Sequence, residues 1–232
     1  MRIVALLVVC AALGCAGSMP PPIADLPPPA SEAEAARRLQ FLEERLDVNR
    51  RHAQLWHWGW TSANAGSIAM NAASMALDDE SGGRVYSGLQ IGISTLGLVD
   101  LLVRDPVPGR AGAQPIRDGD PATRLATGEA LLAAAATHAE GRRAWPAHLA
   151  NAAIQTVAAA VLLGIDEPGY AAASFGLGML GGEAMLWSAP YQPARDWRSY
   201  RELATHGALP LEPKAELRFT PTAQGLALEL RY

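Results

Sequence analysis

The chain has 232 residues, 50% of them hydrophobic but only 6% aromatic, with 22 glycines and a formal net charge of −4. With 19 Lys and Arg against 23 Asp and Glu, it has no positive field to hold a phosphate backbone, and nucleic acid is not an expected partner. A half-apolar chain poor in rings and rich in small side chains suits closely packed helices, in a domain long enough to bury a sizeable core.

In chain order, Arg2 is followed by an unbroken apolar run from Ile3 to Leu13, the build of a secretory signal. The sequence Ala12-Leu13-Gly14-Cys15 resembles the lipobox of bacterial lipoproteins, with the Leu one place later than usual. That resemblance implies removal of residues 1–14 and lipidation of Cys15. It also implies a place in the bacterial cell envelope, with the outer membrane, facing the periplasm, as the expected destination. Ordinary cleavage after Ala16 would instead release a soluble periplasmic protein. On either route the folded body has no thiol, because Cys10 and Cys15 are the two cysteines of the chain; disulfides, zinc-cysteine clusters and thiol catalysis are not expected. Residues 15–30 then form an extended spacer with two Pro-Pro-Pro runs.

The body repeats itself. Trp58 and Ala63-Asn64-Ala65 match Trp145 and Ala150-Asn151-Ala152 at an offset of 87, and Tyr86, Gly92, Gly97 and Pro106 match Tyr170, Gly176, Gly181 and Pro190 at an offset of 84. The change of offset falls in the acidic turns, Asp78 to Arg84 in one copy and the shorter Asp166 to Gly169 in the other. A duplicated helical hairpin would show this pattern. We therefore expect a mainly α fold: a first repeat over 31–109, a linker over 110–120, a second repeat over 121–193, and a tail over 194–232. Each repeat reads as a lead-in helix followed by a hairpin of helices A and B.

Ser31 with Glu34 is a capping box for the first lead-in, and Leu39, Leu42 and Leu46 give it an apolar stripe. The second lead-in starts after Asp120-Pro121 and runs to Gly141, where Pro146 either starts a new helix or kinks a continuing one. The tail predicts a short helix around Asp196 to Thr205 and a β-hairpin, with Leu226, Leu228, Leu230 and Tyr232 in strict alternation. That last run is similar to the terminal strand of outer-membrane barrels, which implies that it could add to a partner's sheet edge.

Helices A and B are each about twenty residues long, enough to span a bilayer. Gly88/Gly92 and Ser174/Gly178/Gly182 have the spacing of packed membrane helices. Against this, His57, Thr61, Asn64, Ser67, Asn71 and Ser74 line one side of the first helix A, which is expensive in lipid. An exported N-terminus would also place the acidic turns on the cytoplasmic side, where Lys and Arg are usual and only Arg84 is present. The sequence thus favours a periplasmic or membrane-surface bundle over four spanning helices.

Counting outward from the turns puts Asn64 level with Asp100, and Asn151 level with Glu183, with His148 one helical turn from Asn151. These five residues are the candidate site. As a polar layer they could bind an ion or small ligand or carry protons; as structural pairs they would satisfy buried groups and fix the register of featureless Ala/Gly surfaces. Catalytic residues, metal sites and cofactors are not expected: the sequence carries no G-x-S-x-G, no P-loop and no histidine pair at metal-ligand spacing. The body's build is similar in composition to predicted envelope lipoproteins of high-GC Gram-negative bacteria. The expected function is a non-enzymatic lipoprotein, a structural or interaction module with its C-terminal hairpin or helical faces open to an envelope partner. The alternative is a small integral membrane protein with four spanning helices that handles an ion or small solute.

Overall fold

A computed structural model describes residues 26–103 and 108–207, and the backbone alone of 216–222 and 225–231. Cys15, the signal and most of the spacer lie outside the described residues.

The fold is a helical bundle. Helix α1 spans Glu32–Leu77, 46 residues and therefore about 69 Å of continuous rod. Its start has the expected Ser31 cap, whose hydroxyl accepts from the Glu34 N–H at 3.2 Å, while the Glu34 carboxylate reaches one residue past the cap and accepts from the Ala30 N–H at 2.8 Å. Helix α2 covers Ser81–Val103, and two 3-10 turns, Pro108–Ala111 and Gln114–Ile116, lead to α3, Pro121–Arg143. The Asp120 carboxylate caps α3 by accepting from the N–H groups of Ala122 and Thr123. Helices α4, Trp145–Leu163, and α5, Pro168–Ser188, form the second hairpin. Helix α6, Gln192–His206, stops at Gly207, whose φ of +69° is open to glycine at little cost.

The two lead-ins end differently for a local reason. In the second copy Pro146 lacks an N–H and its ring would strike the carbonyl one turn back, so the chain breaks at an extended Ala144 and α4 starts afresh. The matching position in the first copy is Gly59, and α1 runs straight through it.

The molecule has two parts. In the body, the first half of α1 packs with α3 and α6 around Leu42, Leu46, Ile116, Leu132 and Tyr200, all buried. Fully burying one such side chain contributes roughly 2 to 3 kcal/mol. Buried polar ties hold the three helices in register. The Arg38 guanidinium donates to the carbonyls of Pro27 at 2.8 Å and Ala204 at 2.9 Å and pairs with Glu34. The Asn49 amide donates to the Asp196 carboxylate at 2.7 Å. In the other part, the second half of α1 pairs with α2 and α4 pairs with α5, each hairpin closely packed within itself.

One expectation is corrected. Residues 26–207 contain no β-strand among those described, and the fold class is helical without the C-terminal β-hairpin predicted to cap it. The core of the described body is closed by helices alone, with Trp197, Tyr200 and Leu203 of α6 packed into it. The backbone segments Glu216–Thr222 and Gly225–Arg231 run antiparallel as a separate ribbon, and two strands alone are too few to build a stable layer.

Candidate functional site

The hairpin part buries polar side chains together with Leu101, Leu162, Ala158 and Ala171, and leaves many large apolar ones exposed. Ser87, Ser94, Gln155 and Ser174 are among its buried residues, whereas Met70, Leu77, Leu102, Leu149, Leu180 and Trp187 are 57–83% exposed. Except for Val48, every exposed large apolar side chain among the described residues lies between Leu55 and Leu102 or between Trp145 and Trp187. On the second half of α1 the inward positions are the polar ones: His57 is buried, Thr61, Asn64, Ser67 and Asn71 are partly buried, and Ser74 is exposed.

Glycines make room for this polar interior. A Cβ at Gly97 would meet the Asn64 amide oxygen at 2.6 Å, one at Gly182 would meet that of Asn151 at 2.1 Å, and one at Gly178 would meet that of Gln155 at 2.0 Å. The small residues of α2 and α5 are thus notches into which amides of the partner helix fit, an arrangement that lets polar side chains lie between close-packed backbones.

Three of the five expected residues meet. The His148 Nδ1 lies 2.7 Å from one Glu183 oxygen, and the Asn151 amide donates to the other at 3.1 Å. The Trp187 ring lies over the His148 ring at 5.5 Å. The cluster sits at the body-facing end of the second hairpin, its two ionisable side chains 27% and 28% exposed. The first copy differs. Asn64 donates to its own helix, at the Trp60 carbonyl, and Asp100 turns away to form an ion pair with Arg142 of α3 at 2.7 Å. Asn64 and Asp100 therefore do not form the expected pair, because α3 brings a cation that only the tertiary fold places there.

A second, neutral layer lies further toward the turns, and of its members sequence spacing places only Gln155, one helical turn after Asn151 on the same face. Ser94 donates to Ser67 at 2.8 Å, Gln90 donates to Ser174 at 3.0 Å, and Gln155 is 97% buried beside them in the bundle interior, 3% of it exposed. The signal was in the repeat. Gln90 and Ser174 are matched by the offset of 84, as are Tyr86 and Tyr170, whose rings lie 5.3 Å apart. Equivalent positions of the two copies thus touch one another where α2 meets α5.

Among the described residues, no group of three or more His, Cys, Asp or Glu is placed to hold a metal ion. Two helices, over Ser81–Leu102 and Trp145–Leu163, are long and apolar enough to cross a membrane, and only 17% of each apolar window is buried. Comparison with known protein families, curated proteins and solved structures gives no match to this chain.

Proposed function

We propose that this chain is a non-enzymatic integral membrane component of the bacterial envelope. Residues 58–77 of α1, with α2, α4 and α5, are embedded as a four-helix bundle that holds the helical body at the membrane surface as an interaction module. The observation that carries this is the outer surface of the hairpins, where Leu, Met, Phe and Trp are exposed while hydroxyls and amides share the interior with Leu101, Leu162, Ala158 and Ala171. In water such a contiguous apolar surface is a liability, and each exposed Leu or Met forgoes about 2 kcal/mol of burial. In lipid that exposure costs nothing, and several interior polar groups pair with one another, Ser94 with Ser67, Gln90 with Ser174 and Asn151 with Glu183.

Dimensions agree. The embedded stretch of α1 is about 30 Å long, the thickness of a hydrocarbon core. Trp58 stands at the body-side limit of the proposed embedded stretch of α1, Trp145 and Trp187 stand at the body-side ends of α4 and α5, and Tyr86 and Tyr170 stand near the turns, the two levels at which aromatic side chains favour headgroups. The polar side of α1 that argues against spanning is turned onto α2 rather than toward lipid. The scarcity of Arg at the turns bears on which side the body faces, not on whether the helices are embedded.

Lipidation of Cys15 would add a second attachment, so the test removes it. A full-length Cys15→Ser chain should stay with the membrane pellet in alkaline carbonate. Release into the soluble fraction would sink the proposal and restore the lipid as the sole anchor.

A further inference from the structure

The polar groups inside the second hairpin form a file along its axis. On α5, Tyr170, Ser174, Gly178 and Gly182 recur every fourth residue and share one face, about 6 Å apart along the helix. Each of these turns presents a polar group. Tyr170 and Ser174 bring their own hydroxyls, and the Gln155 and Asn151 amides of α4 lie in the notches at Gly178 and Gly182.

The file reaches both ends of the bundle. At the turns, the Tyr170 hydroxyl and the Asp78 carboxylate stand over the same residue, Gly83, where a Cβ would meet both. Further in, Ser174 is fully buried and accepts from the Gln90 amide at 3.0 Å. At the body side, the Asn151 amide donates to Glu183 at 3.1 Å, and Glu183 holds the partly exposed His148 at 2.7 Å. From Tyr170 to Glu183 the axial distance is about 20 Å, two thirds of a hydrocarbon core.

One member of the file points to what occupies it. Gln155 is 3% exposed, and its carbonyl oxygen accepts a hydrogen bond from none of the described residues. A carbonyl buried inside a lipid-embedded bundle needs a donor, and a site one turn from the Ser174 hydroxyl is polar enough to hold water. Steps of about 6 Å are too long for direct hydrogen bonds and are the span that one bridging water covers. Packing then decides what can travel. A Cβ at Gly178 or Gly182 would collide with the amide facing it, so α4 and α5 leave no bore for a hydrated ion. A proton needs only a connected series of hydroxyls and waters with titratable groups at the ends.

We infer that this file carries protons across the bundle, between Asp78 at the turns and the His148 and Glu183 pair at the body side. The inference rests on the membrane reading above. A proton taken up at Asp78 passes by exchange along the hydroxyls of Tyr170 and Ser174 and the waters held by Gln155 and Asn151, and leaves through Glu183 and His148. Each group gives up one proton as it receives one, so the file is unchanged after a passage and one positive charge has crossed.

The test reconstitutes the full chain in liposomes of phosphatidylethanolamine and phosphatidylglycerol loaded with the pH dye pyranine, with a potassium gradient and valinomycin to supply the voltage. Protons should enter about tenfold faster than through protein-free liposomes, and Gln155→Leu, which removes the central acceptor, should slow that entry about tenfold. Ser174→Ala should slow it as well. Gly176→Ala, in open space on the same helix, should leave it unchanged, and circular dichroism checks that all three variants keep their helices. Entry no faster than in protein-free liposomes, or entry unaffected by both Gln155→Leu and Ser174→Ala, would overturn the inference; so would radiosodium uptake as fast as that of protons. Flotation of the same liposomes separates the two proposals: a chain that floats and passes no protons loses only the file, and one that fails to float loses the membrane reading as well.

Discussion

Asp47 shows how much of the body depends on single polar contacts. Its carboxylate accepts from the Ala113 N–H at 2.9 Å and from Arg117 at 2.9 Å, joining α1 to the linker before α3. The Ala113 hydrogen bond is the largest influence on its pKa; burial, second in size, opposes it, and the Arg117 pair tips the balance so that the pKa lies below the ordinary carboxylate range. A carboxylate whose folded pKa is depressed stabilises the fold above its unfolded pKa of about 3.9, and that contribution disappears as pH falls through the folded value. Glu34 and Asp120 are depressed in the same direction by bonds from Ala30 and Thr123, so stability should fall on acidification below about pH 4. Melting curves followed by circular dichroism from pH 7 to pH 2 should show a shallower acid loss in Asp47→Asn than in the parent. Parallel losses would remove Asp47 from the account. The residue scale is also where counting along the sequence worked unevenly. Asn151, Glu183 and His148 meet as spacing implied, because all three belong to one hairpin. Asp100 does not meet Asn64, because Arg142 comes from another helix whose position no local spacing reveals.

At the scale of elements, glycine has two separate uses on these helices. Gly182 faces the Asn151 amide so closely that a Cβ would overlap it, whereas Gly176 meets nothing within 4 Å. Gly182→Ala should therefore separate α4 from α5 or displace Asn151 from Glu183, lowering stability by about 1 to 3 kcal/mol. Gly176→Ala, in open space on the same helix, should be neutral or stabilise by up to about 1 kcal/mol through helix propensity. Thermal melts of the two variants in one detergent check the contrast, and equal losses would show that the notches do not matter. The repeat and its helices were legible because periodicity and acidic turns are local signals, and Pro146 was legible as a break. The alternating C-terminal run marks a strand pairing and no more: alternation is a local signal, and two strands alone are too few to build a layer of the fold.

For the whole molecule, what sequence left undecided was direction. A helix with polar groups along one side reads the same whether that side meets water or another helix, and here the contacts of Asn64 and Ser67 with α2 turn it inward. The central claim, that the outer surface of the hairpins is met by lipid, can be tested at two positions of similar geometric exposure. Leu180 on α5 is 70% exposed and Val48 on the body is 61% exposed. The decisive measurement places a single cysteine at each in a chain with Cys10→Ala and Cys15→Ser, and follows labelling by a membrane-impermeant maleimide in permeabilised spheroplasts, with detergent denaturation as the reference. Val48→Cys should label rapidly and Leu180→Cys only once the membrane is dissolved; equal labelling of the two in intact membranes would mean that lipid does not meet the hairpins.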